Sequence, residues 1–334
     1  MKKYFLLLLS LLLLSGCSCN NTKSEFATEP TMPTEIASEE AFISFENSIN
    51  STDRAIAVMI DNDSNESRPH AGLEDAHIVY EIYVEGKATR LMALFKGTDT
   101  PKIGPVRSSR HYFLDYVLDN DALYSHAGFS PIAMQEIDFL NVDNLNGLVY
   151  EPHYYWRERE YKGDYHSLYT SMGNLNRLAD SLGYRKTSDV LPFNYSNDAP
   201  RYEGENALDV IIPYADFYYV SYKYNSETNT YERFINSKYH PTQSGAKLSA
   251  GQIIFQFVKN YPLGDGSHRI QLDTVGKGKG VFIANGMQVP LTWKRSSRTT
   301  PVKFYTADGK ELVLDSTKQT YVQIIPENLK YTIK

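Results

Sequence analysis

The chain has 334 residues, 42% of them hydrophobic, and 34 Lys and Arg against 40 Asp and Glu give a formal net charge of −6. An acidic chain without a basic tract argues against nucleic acid as a partner, because that affinity rests on neutralising phosphates with Lys and Arg. The 26 tyrosines and 15 phenylalanines supply apolar mass for a sizeable core, and the length predicts about two domains.

Residues 1–16 read as a signal peptide. Lys2 and Lys3 form a positive start, and Tyr4–Leu14 is an apolar run of eleven residues broken only by Ser10. A membrane-spanning helix needs about 20 apolar residues, so this run is too short to be an anchor. It ends in Leu14-Ser15-Gly16-Cys17, which resembles the bacterial lipobox, whose cysteine becomes the lipidated first residue of the mature chain. The alternative is a plain secretory signal with a chance cysteine. Removing residues 1–16 leaves 318 residues and, with two lysines gone, a formal charge of −8. The only other cysteine is Cys19, so the folded part has neither a disulfide nor a thiolate metal site.

Residues 17–52 carry Cys17 and then a Ser-, Thr-, Asn-, Glu- and Pro-rich run without periodicity, which predicts a disordered tether. At 5–6 Å × √n it holds the body roughly 30 Å from the membrane. Within it, the apolar stretch 41–45 is a candidate to dock on the body.

From 53 to 195 strands and helices alternate. Residues 55–60 predict a buried strand ending at Asp61-Asn62-Asp63, and 78–84 and 89–95 predict a strand pair across Glu85-Gly86-Lys87. Helical spacing covers Ser108 to about Leu118, a strand follows over 121–127, and helices follow over 131–140 and 175–182, the last with Gly183 as its stop. From 205 to 330 short β-branched and aromatic runs recur, punctuated by the hairpin signals Asn285-Gly286 and Asp308-Gly309. The expected fold class is α+β, an N-terminal mixed α/β domain followed by a mostly β C-terminal domain, with 189–206 as the join.

The densest polar grouping is Glu81, Arg90, Arg107, Arg110, His126 and His166. Glu81 and Arg90 fall inside apolar strands, where an unpaired charge is costly. Arg107 and Arg110 flank the start of the expected helix, with Ser108 as its N-cap. A helix start beside two guanidiniums grips a carboxylate or phosphate. The plainer reading pairs Glu81 with one arginine as a structural ion pair and leaves the other in solvent.

His126 and Ser130 invite a nucleophile-and-base reading, but Ser130 before Pro131 is more simply a helix N-cap, and the G-x-S-x-G elbow is absent. His126 is then a base, a ligand or a hydrogen-bonded structural histidine. Asp61-Asn62-Asp63-Ser64-Asn65 opens like a calcium loop, but Glu66 and Gly72 stand where that loop requires Gly and Glu. No metal or cofactor site is therefore assigned. The glycine-rich run 276–280 reads as a hairpin loop. Trp293-Lys294-Arg295 with Arg298 is either a sugar- or polyanion-binding cluster or a solvated strand end beside a core tryptophan.

The segments Arg68–Leu73, Ala76–Glu81, Glu85–Arg90, Gly104–Arg110, His126–Pro131 and His166–Thr170 resemble the YerB-like lipoprotein family. So do Tyr231-Glu232-Arg233, Asn285-Gly286, Thr292-Trp293-Lys294, Phe304-Tyr305 and Asp308-Gly309-Lys310. The resemblance covers nearly the whole mature body and implies a two-domain exported lipoprotein, both of whose regions are domains of unknown function; it carries no reaction. His77, Lys87 and Ser167 depart from the family pattern of Asp, Gly and Asn. The run from Arg90 through Arg107 to 121–133 is also loosely similar to the LytR-CpsA-Psr ligases, which use arginines and acidic residues around a polyprenyl pyrophosphate.

Three functional expectations follow. One is a membrane-anchored extracytoplasmic binding protein that takes an anionic envelope polymer or lipid-linked precursor on its Arg/His/Glu cluster. Another is an envelope enzyme of phosphotransferase type. The last is a scaffold for other exported proteins acting through residues 205–334.

Overall fold

The structure, a computed structural model, describes residues 44–158 and 164–334; the signal peptide, Cys17 and most of the expected tether lie outside the described residues. Residues 44–52, expected inside the tether, belong instead to the folded body. A short helix, Glu46–Asn50, follows Phe45, and the Phe45 N–H donates to the Thr317 carbonyl at 3.1 Å. Phe45 and Ile49 are both buried. Such side chains contribute about 1.5–3 kcal/mol each when fully buried, enough to hold the segment down.

The apolar runs of the first region form strands buried along almost their whole length, Ile56–Ile60, Ile78–Tyr83 and Thr89–Phe95. Continuous burial of this kind belongs to strands covered on both faces. They lie in an eleven-stranded mixed sheet. Thr89–Phe95 pairs antiparallel with both of the others, and Leu123–His126 then Asn144–Asn146 extend that side in parallel. On the other side Ile78–Tyr83 runs parallel to Thr320–Pro326, from Ile78 opposite Thr320 to Ile82 opposite Ile324. Gln252–Val258, Gly276–Ala284, Met287–Arg295 and Lys303–Tyr305 complete the sequence outward. The regions 53–195 and 205–330, expected as successive domains, therefore share one continuous sheet across this seam.

That sheet is a middle layer. One face packs on the helix Phe113–Asp119 through Met59, Tyr80, Ile82, Met92 and Leu94. The opposite face, with Val58, Val79, Leu91 and Phe95, packs on a six-stranded antiparallel sheet that contributes Val210, Ile212, Val220 and Tyr222, and on the helix Met172–Ser181. Among the described residues every α-helix precedes residue 182 and the remainder is strand and turn, so the fold is α+β with a mixed first region and a strand-rich second.

Three local expectations needed correction. The helix predicted from Ser108 begins at Phe113, with Tyr112 as N-cap and no capping side chain; residues 106–110 instead run along the end of the central sheet, where the Arg107 N–H donates to the Met59 carbonyl at 2.9 Å. The glycine-rich run 276–280 is the first half of a strand rather than a loop. Its glycines are there for close approach: a Cβ on Gly278 would lie 2.5 Å from Trp293 Nε1, and one on Gly280 would lie 2.5 Å from the Phe255 carbonyl. The Trp293-Arg295-Arg298 group is spent internally. Trp293 is buried, Arg295 pairs with Asp119 at 2.5 Å, and Arg298 pairs with Asp115 at 2.6 Å and with Glu136 at 2.5 Å. Asn285-Gly286 does turn a hairpin, at φ 55° and 77°, joining Ala284 to Met287.

Candidate functional site

Strand ends bring the polar residues together. Asp61 and Asp63 follow Ile56–Ile60, Arg90 opens the antiparallel neighbour, and Arg107–Arg110 cross beside them through the bridge from Ile60 to Val106. Arg107 holds Asp63 Oδ2 at 2.7 Å through Nη2 and 3.2 Å through Nε, with Asp61 3.6 Å away. Arg90 reaches the same Asp63 oxygen at 3.5 Å and donates to the Ser108 carbonyl and hydroxyl at 2.8 and 3.0 Å. Arg110 grips Glu85 through Nε at 3.0 and 3.1 Å and donates to Ser108 Oγ at 3.2 Å. Ser108 is thus a hub between two guanidiniums rather than a helix cap. His166 donates from Nδ1 to Asp61 Oδ2 at 2.5 Å.

Burial alone would push the Asp63 carboxyl up, but Arg90 and Arg107 outweigh it and hold its pKa below the usual value. Burial acts the same way on Glu85 and is outweighed by Arg110. The hydrogen bond to Asp61, ahead of the opposing effect of burial, raises the His166 imidazole above its ordinary value. Three guanidiniums face the three carboxylates of Asp61, Asp63 and Glu85, and a protonated His166 also has the Glu66 carboxylate 3.9 Å away, so the charges of the cluster are close to balanced. Several of its polar atoms are nonetheless unsatisfied: among the described residues Arg90 Nε, Asp63 Oδ1 and the Tyr112 hydroxyl are buried without a hydrogen-bond partner.

Glu81 does not join this cluster. In the paired strands Glu81 lies opposite Leu91 and Arg90 opposite Ile82, and the two-residue period sends Glu81 and Arg90 to opposite faces of the sheet. Glu81 instead meets Arg233 of the second region at 2.7 Å, both side chains fully buried. Its other oxygen accepts from Thr89 Oγ1 and Tyr218 OH at 2.7 Å each. The Arg233 guanidinium lies 5.2 Å from the ring centres of both Tyr222 and Tyr321.

From Arg233 a directed chain of hydrogen bonds runs outward. Arg233 Nε donates to His240 Nδ1 at 3.0 Å, so the neutral His240 carries its proton on Nε2 and gives it to His70 Nδ1 at 2.6 Å; His70 Nε2 then donates to the Asp61 carbonyl at 2.6 Å. Burial, followed by neighbouring positive charge, pushes the His70 pKa down to about 3, and burial drives His240 well below its ordinary value. Both histidines are therefore neutral at physiological pH, as the chain of donors requires.

The remaining candidates have local roles. His126 is buried, its Nδ1 2.9 Å from the Gly128 carbonyl, with burial pushing its pKa down to about 4. Ser130 caps the helix Pro131–Phe139, accepting from the Ala133 N–H at 3.3 Å with Pro131 in the first turn; its hydroxyl is committed to the cap, and no elbow exposes it. Asp63 and Glu85 as arginine partners, and Arg233, were not singled out from the sequence. In Thr230–Ile235 burial alternates, which places Arg233 on the inward face with Tyr231 and Ile235; Phe234 on the other face blurs that alternation in the sequence.

Comparison with known proteins places the chain among exported lipoproteins. Residues 1–18 match the prokaryotic membrane lipoprotein lipid attachment site. YerB of Bacillus subtilis (strain 168), named as a lipoprotein, is 29% identical over 285 residues, covering 82% of this chain and 82% of that protein. A crystal structure of YerB from Bacillus subtilis matches with a TM-score of 0.74 and 25% identity, covering 84% of this chain and 94% of the other. The protein is lipid-anchored at the membrane and faces outside the cytoplasm. Two acyl chains make attachment stable where a single one is marginal. Cys17→Ser is accordingly expected to shift the protein from the membrane fraction to the medium, read by fractionation and immunoblotting; full retention at the membrane would contradict the anchor. Residues 45–185 and 210–322 match the N-terminal and C-terminal domain models of the protein family of unknown function DUF3048, and the chain belongs to that family.

Proposed function

We propose that this lipoprotein is a binding protein of the outer envelope, whose Arg90, Arg107, Arg110 and His166 cluster receives the anionic group of an envelope polymer or lipid-linked precursor. The observation that carries this reading is the pair of buried donors without a partner at the cluster, Arg90 Nε and Tyr112 OH. Buried polar groups are otherwise satisfied almost everywhere in folded proteins, so unmet donors beside a partly exposed arginine mark a place for a further oxygen. Arg107 and Asp63 keep 21% and 22% of their side-chain surface exposed, whereas Arg90 keeps 4%. An incoming anion therefore meets Arg107 first and takes the place of Asp63 on it.

Because carboxylates already balance the guanidiniums, binding proceeds by exchange of one anion for another and not by long-range attraction. A hydrogen bond to a charged group contributes about 1.5–3 kcal/mol, so Arg107→Ala is expected to weaken binding of a glycerol-phosphate oligomer by about 10- to 100-fold. The measurement is titration calorimetry on the full lipidated protein in detergent micelles, with circular dichroism to show that the fold is kept. Equal affinity of the folded variant and the parent would end the proposal.

A further inference from the structure

A separate concave site lies beyond the turn that carries Glu85. It is a cleft of about 590 Å³ where the end of strand Ile78–Tyr83 and the end of Thr320–Pro326 meet the turn between strands Asp209–Ala215 and Tyr218–Asn225. Its volume falls in the range of ordinary ligand sites. Tyr83, Tyr214 and Tyr219 line it, together with Asn260, Lys87 and Lys330.

The tyrosines are ordered as a column. Tyr83 stacks on Tyr214 with ring centres 6.3 Å apart and planes 22° apart, and Tyr214 stacks on Tyr218 at 6.0 Å and 23°. Tyr214 is anchored from behind, donating its hydroxyl to Gln323 at 2.7 Å. The half-buried Tyr83 is the outer ring of this column and offers a rigid apolar surface at low entropic cost. The cations differ from those of the arginine cluster. Among the described residues neither Lys87 nor Lys330 is in an ion pair, and both are exposed. Asp216 is the one carboxylate on the lining.

Fixed aromatic faces, an amide and uncommitted ammonium groups around one cleft match a sugar that carries negative charge. The C–H face of the ring lies on tyrosine, its hydroxyls meet Asn260, and its acidic substituents meet the two lysines. We propose that this cleft is a binding site for an acidic glycan, with Tyr83 and Tyr219 as platforms and Lys87 and Lys330 selecting for charge. The proposal stands on the cleft alone and does not depend on the arginine cluster.

Lys87 also supplies a clean variant. Lys87 has φ +59°, a conformation in which glycine is at ease, so Lys87→Gly removes the charge and relieves the backbone. The full lipidated protein in micelles is titrated with an oligogalacturonate and with its methyl ester of the same length. The acid form is expected to bind at least fivefold more tightly than the neutral ester. Lys87→Gly is expected to remove most of that preference and leave the ester's affinity unchanged, while Tyr83→Ala weakens both. The cleft assignment is overturned if Lys87→Gly and Tyr83→Ala both bind like the parent, or if only Arg107→Ala affects the acidic glycan, which would move recognition to the cluster. It is equally overturned if Tyr83→Ala binds the acidic glycan and a glycerol-phosphate oligomer as the parent does, because charge alone would then suffice.

Discussion

Arg233→Ala is expected to lower folding stability by about 3–5 kcal/mol, the usual consequence of leaving one partner of a buried ion pair unpaired. Both Glu81 and Arg233 are wholly removed from solvent, so neither can recover its hydration when the other is lost. The substitution also empties the space between Tyr222 and Tyr321 and strips His240 Nδ1 of its donor. Because Glu81 belongs to the central sheet and Arg233 to the second sheet, the loss loosens the packing of one layer on the other. Replacing both charges, as Glu81→Leu with Arg233→Met, is expected to recover much of the stability, since an apolar pair avoids the desolvation cost of two buried ions. Urea denaturation of the parent, the single variant and the double variant measures this. A single variant within about 0.5 kcal/mol of the parent would show that Glu81 has found another partner.

Acidification is expected to destabilise the protein markedly between pH 6.5 and about 4. His70 and His77 are each pushed down to about 3 and His126 to about 4, in all three cases chiefly by burial, and His240 is driven well below its ordinary value for the same reason. For a group whose folded pKa is depressed, the unfolded chain binds the proton that the native state refuses. Stability is therefore intact above the unfolded value near 6.5 and falls as pH drops through the window down to the folded values. Each fully buried histidine withholds up to about 1.4 kcal/mol per pH unit across it. His166 works in the opposite sense: its raised pKa adds stability that is complete below about 6.5 and fades as pH rises through its folded value. The lowered carboxyls of Asp63 and Glu85 act at lower pH still. Unfolding at pH 5.5 should take up about three to four protons on His70, His77, His126 and His240, with a further contribution from His111, also buried and lowered chiefly by burial, measurable by calorimetry in buffers of different ionisation enthalpy. Uptake at pH 5.5 no greater than at pH 7.5 would contradict the neutral, buried state of these side chains.

Much of the secondary structure was legible because its signals are local. The apolar run 55–60, the strand pair across Glu85-Gly86-Lys87, the helix stop at Gly183 and the Asn285-Gly286 turn each depend on a few adjacent residues and appear close to their expected positions. The start of the 113–119 helix was misplaced because residues 108–112 are hydrogen-bonded elsewhere, by the sheet end and the two arginines. Composition likewise misled at 276–280, where glycine serves contact with Trp293 and not a turn.

The address of this protein follows from its first seventeen residues, because a signal peptide and a lipobox are read as linear chain by the export machinery before any fold exists. The strand periods and turns follow from sequence for a related reason, being set by neighbours a few residues apart. The partner of Glu81 does not: Arg233 lies 152 residues away, and only the packing of one sheet on another brings the two together. The same holds for Asp63 between Arg90 and Arg107, and for the tyrosine column at the cleft. In each case the charge or ring was visible in the sequence, but what it faces is decided by the closing of a sheet that strands from both regions build jointly.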